Sequence, residues 1–159
     1  MHTRREILSR SATLAALLVG AAALPGLAQA QAQAQAGGYN TAAFDAKTMA
    51  ELAKALGVAA PVESKDVNIT GPDIAENGAV VPIGAATALP GVKRMLILVE
   101  KNPSMLSAMF DVTDAVDANF STRVKMGQTS NVYAVAMLND GKLLFAQKEV
   151  KVTLGGCGG

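Results

Sequence analysis

Val132-Tyr133-Ala134-Val135-Ala136-Met137-Leu138, then Asn139-Asp140-Gly141, then Lys142 through Leu154: the reading of this stretch decides the fold. The first segment is an apolar run carrying Val132, Tyr133 and Val135, residue types that suit a strand. Asn139-Asp140-Gly141 supplies the residues a tight hairpin turn requires. Lys142 to Leu154 is then the returning strand, expected to bulge near Gln147. Upstream the pattern recurs. Val67-Asn68-Ile69-Thr70 alternates and ends at Gly71-Pro72. Ala79 to Ile83 follows a Glu76-Asn77-Gly78 turn. Arg94 to Glu100 encloses Met95-Leu96-Ile97-Leu98-Val99, apolar enough for a central strand and broken by Asn102-Pro103. Met105 to Val112 forms another strand, and Phe120, Thr122, Val124 and Met126 alternate with Ser121, Arg123 and Lys125. Roughly seven strands with turn signals every 8–12 residues and no long helix between them predict an all-β, immunoglobulin-like antiparallel β-sandwich. The immunoglobulin disulfide and tryptophan are absent, so the likeness is one of architecture.

A short N-terminal helix precedes the strands. Thr48 and Glu51 make a capping box, and Gly57 is a natural stop, which predicts a helix over Thr48–Leu56. Leu52 and Leu56 share a face, with Phe44 and Met49 close to it. So short a helix is marginal alone and is expected to pack on the domain, or to cover part of a partner. The helix and the sandwich together are taken as one domain, residues 41–154.

The final strand runs into Gly155-Gly156-Cys157-Gly158-Gly159, a flexible C-terminal tail over residues 155–159 that holds the single cysteine of the chain. Glycine has no Cβ and threads where a bulkier chain would clash. A core thiol needs neighbours with side chains, and a metal site needs further ligands; neither is nearby. The arrangement offers a thiol on a slim arm. Five residues extend at most about 17 Å, enough to place Cys157 in a cleft of another protein. No fixed cation or helix terminus lies near it in sequence, so a thiol of ordinary pKa, about 8.5, is expected.

The other end gives the compartment. Thr3-Arg4-Arg5-Glu6-Ile7-Leu8 is followed by a mild Ala/Leu-rich stretch, Ala12 to Leu27, and then by Ala-x-Ala sites such as Ala28-Gln29-Ala30. This is the layout of a cleaved bacterial export signal, and the pair Arg4, Arg5 points to the twin-arginine route. The apolar stretch is shorter than the ~20 residues of a membrane span, which speaks against an uncleaved anchor. Residues 1–30 are taken as the signal peptide and 31–40 as a disordered linker, the Ala-Gln alternation leaving the cut site ambiguous. The destination is the periplasm, with no membrane association after cleavage. That route carries folded proteins, and no cofactor motif explains the need, so a co-exported partner does. In an oxidising compartment a lone cysteine is left for an intermolecular bond or for chemistry.

The leader takes three of the 14 basic and one of the 13 acidic residues, leaving a net charge of −1 and no basis for nucleic-acid binding. It also takes His2, the one histidine. The rest lacks the usual general base and the commonest transition-metal ligand; no catalytic residue and no metal site are expected. Asp111, Asp114 and Asp117 lack the glycine and terminal glutamate of a calcium loop. Met105, Met109, Met126 and Met137 read as core filler rather than copper ligands. Lys148 and Lys151 read as strand-edge protection, or as attraction for an anionic adduct or acidic partner.

The glycine-bracketed C-terminal cysteine, the twin-arginine leader and the small β-domain together resemble the SoxY family, over the whole chain. The tail is the most specific element; the middle of the domain carries no signature to match. The resemblance implies a non-catalytic sulfur carrier of the thiosulfate-oxidising Sox system. Cys157 would hold the covalent sulfur adduct, with Gly155, Gly156, Gly158 and Gly159 giving the arm its freedom and no cofactor beyond that adduct. It further implies a co-exported heterodimer with a SoxZ-like β-protein. Transient partners would be a SoxAX-like c-type cytochrome, a SoxB-like hydrolase and a SoxCD-like sulfane dehydrogenase. Two rivals from other classes stand beside it: a structural periplasmic β-domain that dimerises through a Cys157 disulfide, and a thiol redox protein, for which the second, resolving cysteine is missing.

Overall fold

The hairpin at Asn139–Gly141 forms as its residues dictate. In the computed structural model, which describes residues 40–153, Leu138 N donates to Lys142 O (2.9 Å) and Gly141 N to Leu138 O (3.1 Å). Gly141 takes φ 84°, the left-handed conformation that closes a three-residue hairpin loop. The described residues belong to one of two compact units, residues 40–159. The expected leader, the linker up to residue 39 and the tail 155–159 lie outside them.

In chain order the elements are α1 (Thr41–Asp45), α2 (Met49–Leu56), β1 (Pro61–Glu63), β2 (Val67–Thr70), β3 (Ile74–Ala75), β4 (Val81–Thr87), β5 (Val92–Val99), β6 (Leu106–Asp111), β7 (Asn119–Val124), β8 (Ser130–Leu138) and β9 (Leu143–Val152). They form an immunoglobulin-like β-sandwich. One sheet has the order β1-β9-β8-β5-β6, with β3 also on β9; the other is β2-β4-β7. All the long strands pair antiparallel, as the sequence predicts. Two short segments that the sequence reading passes over, β1 and β3, add to β9 in parallel, at Leu143–Phe145 and at Lys151–Val152.

The large sheet is apolar on both faces, and this accounts for the unbroken run Met95–Val99, fully buried throughout. Met95, Ile97 and Val99 join Val132, Ala134, Ala136 and Val150 in the core against the small sheet. Leu96, Leu98, Val135, Met137 and Leu143 face the other way and pack under the helices, against Leu52 and Ala53. The helix does therefore pack on its own domain. Its boundaries follow its caps: Thr48 Oγ1 accepts from Glu51 N (3.2 Å), the Glu51 carboxylate accepts from Lys47 N (2.7 Å), and Gly57 stops it at φ 67°.

Three expectations are revised. Asn40, assigned to the linker, caps α1: its Oδ1 accepts from Ala43 N (3.1 Å) and its Nδ2 donates to Ala55 O (3.1 Å), so it belongs to the folded domain. With α1 in place the described residues ahead of the strands hold two helices instead of one. No bulge occurs at Gln147. β8 and β9 hold one register from Ser130↔Val150 to Met137↔Leu143, because an extra residue would turn Val150 and Leu144 out of the core. The irregularities fall on β5 instead, between Ile97 and Leu98 and between Val92 and Arg94.

Candidate functional site: the root of the arm

Strand β9 carries the chain toward Cys157, and its last residues are held by hydrogen bonds on both edges. On the outer edge Lys151 N donates to Asp73 O (2.9 Å) and Thr153 N to Ala75 O (3.1 Å). On the inner edge Val152 N donates to Thr129 Oγ1 (3.0 Å). Thr153 Oγ1 donates to Glu76 O (3.1 Å). The segment Gly71–Glu76 is fixed in turn by Lys148, whose Nζ donates to Gly71 O (2.7 Å) and pairs with the Asp73 carboxylate at 2.8 Å. That ammonium, through its hydrogen bond and then its charge, holds the Asp73 carboxyl below its ordinary value, with Lys151 adding a smaller pull. Lys148 and Lys151 are thus turned to the root of the arm, and Lys148 is a structural clamp.

The clamp ends at Thr153. Cys157 follows four residues later, so its Cα lies within about 14 Å of Thr153. Cys157 itself, Gly155, Gly156, Gly158, Gly159, Arg4 and Arg5 lie outside the described residues. The clamp residues Thr129, Thr153, Asp73 and Lys148 were not singled out from sequence as a unit. A threonine in a loop has no periodicity to reveal it, and Lys148 read as edge protection or as attraction for an anionic adduct or acidic partner, not as a clamp.

Around the root lie the turn at Asn77–Val80, where Asn77 Oδ1 accepts from Ala79 N (2.8 Å), and the start of β8, where Ser130 Oγ accepts from Lys101 N (3.1 Å). Ile74 and Val80 are more than half exposed there. Further along the same end, Glu100 accepts from Asn131 Nδ2 (2.9 Å) and from Tyr133 Oη (3.3 Å). Burial first, and the Glu100 charge second, push the Tyr133 hydroxyl above its usual pKa.

An open cleft lies elsewhere. About 600 Å³ in volume, it is lined by Thr87, Leu89, Val112, Asp114, Asp117 and Asn139 among others, at the opposite end of the sandwich. β9 is about 30 Å long from Leu143 to Val152. An arm of about 14 Å cannot bring Cys157 back to that cleft on its own chain. The three aspartates do not converge: Asp111 pairs with Arg94, while Asp114 and Asp117 line the cleft. Among the described residues no group of three or more His, Cys, Asp or Glu is placed to hold a metal ion. Met105, Met126 and Met137 are buried and Met109 packs beside them or their neighbours, so the methionines are core.

A family model described as sulfur oxidation protein SoxY matches residues 52–157, a span that begins in α2 and reaches the cysteine. The fold is similar to the structure of the sulfur carrier protein SoxY from Chlorobium limicola f thiosulfatophilum, at 40% sequence identity and a TM-score of 0.54, covering 59% of this chain and 84% of that one. A superoxide reductase (neelaredoxin) from Ignicoccus hospitalis is a distant likeness at 15% identity and a TM-score of 0.49, covering 54% and 79% of the two chains. No curated protein sequence matches the chain. With two thirds of its length inside the family's span, and the strand that leads to the cysteine within it, the chain belongs to the SoxY family of sulfur oxidation proteins.

Proposed function

We propose that this protein is the sulfur carrier of a thiosulfate-oxidising system, with Cys157 as the attachment point. The observation that carries the reading is the clamp on β9, which fixes the chain up to Thr153 and leaves a short glycine-rich run to the thiol. The fold supplies a fixed root. The glycines supply an arm that touches its surroundings through backbone only, so one tail suits several unrelated clefts.

The thiolate of Cys157 couples with the outer sulfur of thiosulfate, and the electron pair released passes to a c-type cytochrome, giving a cysteine S-thiosulfonate. A hydrolase adds water across the terminal sulfonate, releasing sulfate and leaving a persulfide. A sulfane dehydrogenase takes six electrons from the remaining outer sulfur with water as the oxygen source, and a second hydrolysis frees sulfate and the thiolate. Each step belongs to a visiting enzyme; the carrier contributes the sulfur nucleophile and its reach. Ordering the arm costs roughly 1–2 kcal/mol per residue, which keeps each visit brief. A co-exported β-protein of the SoxZ type is the expected stable partner. The Arg4-Arg5 leader directs the folded assembly to the periplasm, and Arg4→Lys with Arg5→Lys is expected to leave it in the cytoplasm.

Intact-mass analysis of protein from thiosulfate-grown cells tests the reading. Sulfur-bearing adducts on the wild type, absent from Cys157→Ser, are expected. Free thiol and disulfide dimer alone would overturn it in favour of a disulfide-linked structural domain.

A further inference from the structure

Asn77-Gly78 is the one Asn-Gly pair in the sequence. It lies in the turn between β3 and β4, next to Glu76, whose carbonyl accepts the Thr153 hydroxyl at the root of the arm. An asparagine side chain is open to attack from its own backbone. The nitrogen of the next residue adds to the side-chain carbonyl carbon and closes a cyclic imide. A folded chain usually prevents this in one of three ways: a Cβ on the next residue blocks the approach, a hydrogen bond holds the attacking N–H, or a partner holds the side-chain amide. None applies here. Glycine has no Cβ. Among the described residues Gly78 N donates no hydrogen bond, although Gly78 O accepts from Met126 N (2.7 Å). Asn77 Nδ2, the leaving group, has no partner there either. Gly78 is itself covered, but Asn77 and Ala79 on either side are exposed, so water reaches the amide.

The turn also activates the carbonyl. Asn77 Oδ1 accepts from Ala79 N at 2.8 Å, which folds the side chain back over the peptide that follows it. The same N–H draws electrons from Cγ and is in place to hold the oxyanion that forms when Gly78 N adds. Other asparagines lack this set. Asn40 and Asn131 have Nδ2 engaged, by Ala55 O and by Glu100. Asn102 precedes a proline, which has no N–H, and Asn139 precedes Asp140, whose Cβ stands in the way.

We propose that Asn77 is a site of spontaneous deamidation, a covalent modification built into the root of the arm. The Gly78 N–Cγ bond forms, the Cγ–Nδ2 bond breaks, and ammonia leaves with the proton that Gly78 N gives up. Water then opens the imide. Opening at Cγ gives aspartate; opening at the main-chain carbonyl gives isoaspartate, with the chain now routed through Cβ and Cγ. The net change is amide and water to carboxylate and ammonia, with nothing oxidised or reduced. The isoaspartyl link lengthens the chain by a methylene between two held points, Glu76 O on the Thr153 hydroxyl (3.1 Å) and Gly78 O on Met126 N (2.7 Å). The two bonds cannot both keep their geometry, so the grip on the end of β9 slackens as the protein ages. This chemistry needs neither Cys157 nor the carrier reading.

Peptide mapping by mass spectrometry, on purified protein held folded in neutral and in mildly alkaline buffer, tests the proposal. Loss of the Asn77 amide to both aspartyl and isoaspartyl products is expected. The loss should be faster in alkali, because the ionised Gly78 amide is the nucleophile, and the exposed Asn139 should keep its amide. Gly78→Ala is expected to abolish the loss. A folded protein that keeps the Asn77 amide over the time in which the urea-unfolded chain loses it overturns the proposal. So does loss at Asn139 at the same rate. Hydrogen exchange then reads the consequence. Faster exchange at Thr153 and Met126 is expected in the isoaspartyl fraction, and not in Asn77→Gln aged in parallel. Exchange in that fraction as slow as in fresh protein overturns the link to the root.

Discussion

The two ends of the sandwich are built for different things. The far end has the concavity: a cleft of about 600 Å³ with two carboxylates on its wall. The arm end has connections: five hydrogen bonds and an ion pair spent on Lys151, Val152 and Thr153 at the end of β9 and on the segment beside them. Ligand sites are usually sought in concavities. Here the cysteine leaves from the other end and cannot return, so in a carrier the working feature is the point of departure.

The largest expected effect separates the ends outright. Cys157→Ser should abolish sulfur loading, while Asp114→Asn with Asp117→Asn should leave it unchanged by intact mass; a matching loss in the cleft variant would break the comparison. Next, Gly156→Leu or Gly158→Leu should slow sulfate release about tenfold or more with the melting temperature unaltered, since small misplacements at a reacting centre are costly. Wild-type rates in both would remove the reason for glycine there. A smaller effect is expected at the clamp. Thr129→Val strips the acceptor from Val152 N–H at about 1 kcal/mol and should speed hydrogen exchange at Val152 and Thr153, with Thr129→Ser restoring protection. Exchange that stays slow would mean that β3 alone fixes the root.

The smallest effect is one of pH. The Asp73 carboxyl is lowered from 3.8 by Lys148, so its contribution is complete above the unfolded value and fades as pH falls through the folded one, below about pH 4. Exchange at Lys151, whose N–H meets Asp73 O, should rise in that acid window. At the far hairpin Asp140 is lowered by Lys142 with the same sign, and Lys142 is raised, so its share is lost only as pH climbs beyond 10.5. Acid should therefore loosen the arm's root and the far turn together, and strong alkali should loosen the far turn as Lys142 loses its proton. Slow exchange at Lys151 that persists through the acid window would contradict this assignment.

Much of the sandwich was legible because its signals are local. Asn139-Asp140-Gly141 gives the hairpin, Thr48, Glu51 and Gly57 bound α2, and Met95–Val99 declares a strand buried on both faces. What escaped depends on distant partners. β1 and β3 have two or three residues each, too few for any period, and exist only because β9 offers an edge. Asn40 looks like linker until Ala43 and Ala55 are brought to it. The same divide holds at the site. The thiol and its glycines announce themselves by composition, whereas Thr129 and Asp73 acquire a role only when folding sets them beside Val152 and Lys148.

The pairing of β3 with β9 also bears on force. A partner that lets go of the arm, or a chain dragged by its tail, pulls β9 along its own axis. The bonds to β3, to β8 and to Thr129 lie across that axis. They are then loaded together in shear and cannot peel one at a time. The fold would meet a tug on the cysteine with its whole central sheet, and the yielding element would be the glycines.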